Sequence, residues 1–256
     1  MTVITVRAEA FQQLMISLQI QLTNPKFSDF TIICGASSYK VHKVIITAQS
    51  DYFKKAVQFG KEASESSITL QENDAESVKH MITFFYKLDY DIDPLIPSTA
   101  SSVASTSDLL PSSGRTAKPA QTRGPRNIPP RHLLKRNTWN PSDLLTHIRL
   151  YALADKYLIP ALRSLTVFKF KQNALANYDD SEFIEAIVAV YHELAEHADD
   201  MWDAIVGVVR QNIGIMRREE MKELDAYATL AEKIVEKIAE EGEGVMSGES
   251  NESPYH

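Results

Sequence analysis

The stretch that decides the fold reads Phe27-Ser28-Asp29-Phe30-Thr31-Ile32-Ile33-Cys34-Gly35-Ala36-Ser37-Ser38-Tyr39-Lys40-Val41-His42-Lys43-Val44-Ile45-Ile46, with Ser50-Asp51-Tyr52-Phe53 close behind. Residues 30–34 and 38–41 are short runs rich in β-branched and aromatic side chains, and Gly35-Ala36-Ser37 between them carries turn chemistry, so the two runs are expected to pair as a hairpin. Periodicity then changes. Between 43 and 59 the apolar residues Val44, Ile45, Ala48, Phe53, Ala56 and Val57 follow helical spacing, and Ser50-Asp51 can cap a second helix.

Working outward, Phe11, Leu14, Met15, Leu18 and Leu22 recur on one helical face until Asn24-Pro25 ends the run. Downstream, Ser67-Ile68-Thr69-Leu70 alternates as a third strand, and Asp74-Ala75-Glu76 opens a helix with Val78, Met81, Ile82, Phe85 and Tyr86 on its apolar side. Beyond residue 140 the pattern is helical almost to the end. Leu144, Leu145, Ile148, Tyr151 and Ala152 form one such run; Pro160 suits the first turn of the next, ahead of Leu162, Leu165 and Phe168. Asp179 with Glu182 forms a capping box before Phe183, Ile184, Ile187, Val188 and Tyr191. Asp199-Asp200 precedes Trp202, Ile205, Val206, Val209 and Ile213, and a last acidic helix carries Leu224, Tyr227, Ala231, Ile234 and Ile238.

One segment cannot pack by composition. Residues 94–141 hold eight of the chain's 11 prolines, with Ser/Thr runs and few large apolar side chains. Such a segment buries too little apolar surface to offset an ordering cost of about 1–2 kcal/mol per residue. Residues 94–140 are therefore expected to be a disordered, basic, Pro/Ser-rich insertion, and 242–256 a disordered tail. Charge follows the same division: nine Lys/Arg against eleven Asp/Glu in 1–93, seven against one in 94–140, and eleven against twenty-two in 141–256. No run approaches the roughly 20 apolar residues of a membrane span. With a single cysteine, Cys34, and no Cys/His zinc spacing, an intracellular setting is expected, cytoplasm and nucleus not being distinguished.

Several of these residues carry a family pattern. Residues 27–32, 39–46 and 50–53 resemble the "F-S-D-v-t-l … f-x-x-H-k-x-v-L … S-x-y-F" core of BTB/POZ domains. Ile68-Thr69-Leu70, Phe84-Phe85-Tyr86 and Tyr151-Ala152-Leu153-Ala154-Asp155-Lys156-Tyr157 are similar to the strand and helices that follow it. The insertion and helical continuation resemble BTB-domain proteins of fungi. The resemblance implies an α+β fold, a small mixed sheet flanked by a cluster of helices, formed by 1–93 and 141–175, with a helical region at 179–241. It implies protein partners, the chain itself as a homodimer among them. Asp29 and Lys43 fall where dimerising members place an acidic and a basic residue between subunits, and Phe11, Leu14, Met15 and Leu18 lie on the helix that meets the partner. An intrachain core helix would show the same spacing. Cullin-binding members carry a hydrophobic-x-Glu signature whose glutamate is Glu62 here, but the hydrophobic position is Gly60, which has no side chain to fill a pocket; Phe59 stands one residue away.

Other chemistry is set aside on geometry. His192 and His197 stand at i and i+5, about 140° apart around a helix, where a shared metal needs i and i+4. The nine glycines form no phosphate-binding loop. Cys34 lies in an apolar strand without a neighbouring base and reads as an inert thiol, and His42 as a hydrogen-bonded core residue. Lys118, Arg123, Arg126, Arg131, Lys135 and Arg136 make a dispersed basic tract, which gives a transcription-associated role with weak nucleic-acid contact as the lesser alternative. No catalytic, cofactor or metal residue is expected, nor a small-molecule substrate or membrane partner. The expected function is a protein–protein interaction module, a dimerising scaffold or adaptor, with a cullin-ligase substrate adaptor as the alternative.

Overall fold

A computed structural model of the chain describes residues 3–92, 143–194 and 198–246; of Ile4 and of 242–246 only the backbone is described. The expected insertion at 94–140 lies outside the described residues. Helix α1 (Val3–Thr23) ends just ahead of Pro25, and strands β1 (Phe30–Cys34) and β2 (Ser37–Val41) form the expected hairpin around Gly35, whose φ of 55° is one that favours glycine. The register pairs Phe30 with Val41, Ile32 with Tyr39 and Cys34 with Ser37. Period-2 alternation turns Phe30, Ile32 and Cys34 inward.

Two short helices, α2 (Lys43–Thr47) and α3 (Asp51–Ala56), follow. Each start is fixed by a side chain: Asp29 Oδ1 accepts the Lys43 N–H at 2.7 Å, and Ser50 Oγ accepts the Phe53 N–H at 3.1 Å. A third short helix not marked by any apolar period, α4 (Gly60–Glu65), leads to β3 (Ser67–Thr69), which pairs parallel to β1. The sheet order is β2-β1-β3. α5 (Ala75–Lys87) begins under an Asp74 cap, whose Oδ2 accepts the Ser77 N–H at 2.9 Å.

The rest is helical: α6 (Asp143–Lys156), α7 (Pro160–Asn177), α8 (Ser181–Glu193), α9 (Asp199–Gln211), a 3₁₀ turn (Ile213–Arg217), α10 (Glu219–Lys222) and α11 (Tyr227–Met246). Two hydrophobic cores result. The first gathers the sheet with Ile46, Phe53, Met81 and Phe85, and takes Leu150, Leu153, Ala154 and Tyr157 from α6 and the residue after it. The second is all-helical and takes Leu144, Ile148 and Tyr151 from the opposite side of α6, joining them to Phe183, Ile187, Trp202, Ile205 and Leu230. α6 is therefore buried on two faces, which explains its apolar residues all round.

Polar pins hold this junction. Ser50 Oγ donates to the Tyr157 carbonyl at 2.6 Å, Asn73 Nδ2 donates to Tyr157 Oη at 2.8 Å, and the Tyr157 ring stacks on Phe53. Burial pushes the Tyr157 phenol up to about 12. On the other side of α6, Arg163 Nε donates to Tyr151 Oη at 2.9 Å while its guanidinium pairs with Asp200, tying α6 and α7 to α9.

Three expectations change. The Asp179 capping box does not form: Asp180 is the residue before α8, and Asp179 is held by Arg218 from a distant turn, through its carboxylate and its carbonyl. Leu224 precedes α11, and Ile238 is 54% exposed; ion pairs, Lys237–Asp203 and Arg210–Glu241, join α11 to α9 in that stretch. The helix also continues to Met246, past the expected end at 241; 247–256 lie outside the described residues.

Candidate functional site

The outstanding surface is α1. Over 21 residues it touches the rest of the chain chiefly through α5, and its last turn seats Leu22 on the sheet core. Phe11 and Leu14 are each 56% exposed, while Met15 and Leu18 are half-buried. Val6, Ile16 and Ile20 are exposed as well, on the side away from Phe11 and Leu14. α1 is thus apolar on two faces and not along a single stripe. The i, i+4 pair Ile16 and Ile20 carried that signal in the sequence.

Near the base of α1, Asp29 is exposed and its carboxylate is engaged by the Lys43 N–H; Lys43 Nζ lies 3.5 Å from Ser66 Oγ. The two residues adjoin through Asp29 and a main-chain donor, and the Lys43 ammonium points elsewhere. His42 is buried between them and the core. Its Nδ1 lies 2.8 Å from Tyr86 Oη, its Nε2 3.3 Å from the Lys26 carbonyl, and its N–H donates to the same Tyr86 oxygen at 3.0 Å. Each polar atom has a partner, as a core histidine requires.

A second exposed feature is Phe59, 68% exposed at the start of α4. Gly60 adopts φ 80°, and a Cβ there would meet Glu62 Oε2 at 3.2 Å. The backbone thus needs glycine at 60, and the aromatic side chain of this turn stands at 59. Glu62 is half-buried one turn on, close enough to Tyr52 to raise its phenol beyond what burial alone does.

A buried polar cluster went unread in the sequence. Tyr90 Oη and His147 Nδ1 are 2.8 Å apart, so the residues just before and just after the undescribed 93–142 are bonded to each other. Lys169 from α7 lies over the Tyr90 ring, donates to the Tyr90 carbonyl and pairs with Asp89 at 2.6 Å. Burial, then Lys169 and His80, hold the His147 imidazole down to about 3. Nothing in local periodicity marks these residues, since their partners come from separate helices.

Cys34 is buried; its Sγ donates to the Asn73 carbonyl at 3.2 Å, and burial pushes its thiol up, the opposite of an activated nucleophile. Among the described residues no group of three or more His, Cys, Asp and Glu side chains could hold a metal. His192 is exposed against the Tyr191 ring, and His197 and the basic tract from Lys118 to Arg136 lie outside the described residues. No described helix is long and apolar enough to cross a membrane.

Comparison with known proteins bears on the part of the molecule that holds the sheet. The BTB/POZ domain family model matches residues 18–113. Among solved structures, the BTB domain of zebrafish PATZ1 is similar at 13% identity and a TM-score of 0.39, covering 64% of this chain and 94% of that one. No curated protein matches the sequence. The family is a protein–protein interaction and dimerisation module, and the strand order, the His42 environment and the Ser50 cap belong to the matched segment. Residues 18–113 of this chain match the BTB/POZ domain model, and the fold is BTB/POZ-like.

Proposed function

We propose that the chain is an intracellular scaffold or adaptor that works as a homodimer, two copies meeting through Phe11, Leu14, Met15 and Leu18 of α1, with Asp29 and Lys43 beside the contact. The observation that carries this is the exposure of α1: a helix with Phe11 and Leu14 both more than half exposed leaves apolar surface that a second chain would remove from water at roughly 25 cal/mol per Å². Residues 1–93 and 141–175 act as one domain, with 179–241 as a helical extension. The module has protein partners and neither a substrate nor a cofactor. Light scattering on the full chain at micromolar concentration tests it: a two-chain mass is expected, and Leu14→Asp gives a one-chain mass with an unchanged far-ultraviolet spectrum. A wild-type monomer at that concentration ends the proposal.

A second reading, a cullin-ligase adaptor, is favoured by one observation, the outward Phe59 beside Glu62. Binding of a purified cullin N-terminal domain that is lost in both Phe59→Ala and Glu62→Ala would support it, and its absence in the wild type removes it.

A further inference from the structure

A groove on the C-terminal helices has no role in either reading. Its walls are Leu145 at the start of α6, Ile184, Val188 and Ala189 along α8, and Leu224 ahead of α11, enclosing about 490 Å³. Leu145, Ile184, Val188 and Leu224 are only half-buried, although all but Val188 pack on their inner sides against the helical core. Ile184 and Val188 stand at i and i+4, so α8 presents one apolar row to its own core through Phe183, Ile187 and Val190 and another to the groove.

The rim is acidic. Glu185, His192 and Glu193 border the groove, and no Lys or Arg among the described residues does. Some acidic residues elsewhere in these helices pair with cations, Asp179 with Arg218, Asp199 with Lys233, Asp203 with Lys237 and Glu241 with Arg210, while others, Glu220 and Glu223 among them, have no cation among the described residues. Glu185 and Glu193 pair with no cation among the described residues. An apolar floor bounded by carboxylates suits an apolar segment flanked by Lys or Arg, because burial supplies attraction at the floor while charge at the rim selects against acidic sequences.

We propose that this groove docks a basic amphipathic helix of a protein partner, its apolar residues against Ile184, Val188 and Leu224 and its Lys/Arg side chains at Glu185 and Glu193. The site is separate from α1 and would give a dimeric scaffold a second, charge-selective contact.

Two labelled 16-residue peptides with the same leucine stripe test this on the full chain by fluorescence anisotropy, one with lysines and the other with glutamates at the remaining positions. The lysine peptide is expected to bind at least tenfold more tightly at 50 mM salt, with the ratio shrinking at 300 mM. Val188→Glu abolishes its binding, and Glu185→Lys with Glu193→Lys, both exposed and safe for folding, reverses the preference. Equal binding of the two peptides, or binding indifferent to the double substitution, overturns the proposal. So does a fall in oligomeric mass caused by Val188→Glu, which would assign the groove to a second copy of the chain.

Discussion

Two helices of this chain, α1 and α6, carry apolar residues on opposite sides, and they meet opposite fates. α6 lies between two cores: Leu150, Leu153 and Ala154 enter the sheet core, and Leu144, Ile148 and Tyr151 the helical one. α1 has the same kind of surface in Phe11 and Leu14 on one side and Ile16 and Ile20 on the other, yet all four are more than half exposed. A helix apolar all round is one covered all round. For α6 the chain itself provides the cover; for α1 we assign it to a second copy.

The sharpest way to break the comparison is to truncate one leucine on each helix. Leu150→Ala removes a fully buried side chain and is expected to cost about 3 kcal/mol in chemical denaturation of a dissociated sample. Leu14→Ala in the same assay should cost less than about 0.5 kcal/mol, within the range of surface substitutions. Equal losses at the two positions would mean that α1 is packed within its own chain.

Much of this architecture is visible in residue order, and what is hidden has a common cause. The hairpin, the Ser50 and Asp74 caps and the buried His42 all depend on neighbours within a few residues or on a strong local period. Periodicity reports where apolar side chains stand, not what covers them, so neither the double burial of α6 nor the exposure of both faces of α1 could be read from it. The Asp179 capping box failed for a related reason: Arg218, 39 residues on, competes for the same aspartate. Tyr90, His147 and Lys169 form one cluster only because separate helices converge. Of the candidate contact residues, Phe11 and Leu14 were legible as a stripe, but the main-chain engagement of Asp29 and the reason for Gly60 are matters of backbone geometry.

His147 sharpens the contrast by asking what a polar residue costs on each helix. On α1, Ser17 bonds only to the Gln13 carbonyl of its own helix and is exposed. On α6, His147 is 1% exposed and is kept neutral, its imidazole held down to about 3. With a folded-state pKa below the unfolded value of about 6.5, the unfolded chain binds the extra proton, so stability is full above that value and is lost as pH falls toward 3. Groups facing it are Tyr90, Lys169 and His80, and Lys169 adds to the opposition to a second charge. Between pH 6 and pH 4 the loss from this one site is about 2.5 kcal/mol. Unfolding midpoints of wild type and His147→Gln measured across that range should therefore converge as pH falls; parallel curves would mean that His147 does not stay neutral in the folded chain.

The smallest effect decides how far the likeness between the helices extends. If α1 in the dimer is enclosed as α6 is within the chain, the side bearing Ile16 must also meet the second copy, though it lies away from the Phe11 and Leu14 stripe. Ile16→Lys is then expected to raise the dimer dissociation constant about tenfold, or roughly 1.4 kcal/mol, while leaving the unfolding of the separated chain unchanged. A charge on a long stem can reach water from the edge of an interface, which keeps the loss below that of Leu14→Asp. Sedimentation of Ile16→Lys over a dilution series measures the shift. A dissociation constant equal to wild type would confine the contact to one side of α1, leaving Ile16 and Ile20 as surface that some other protein covers.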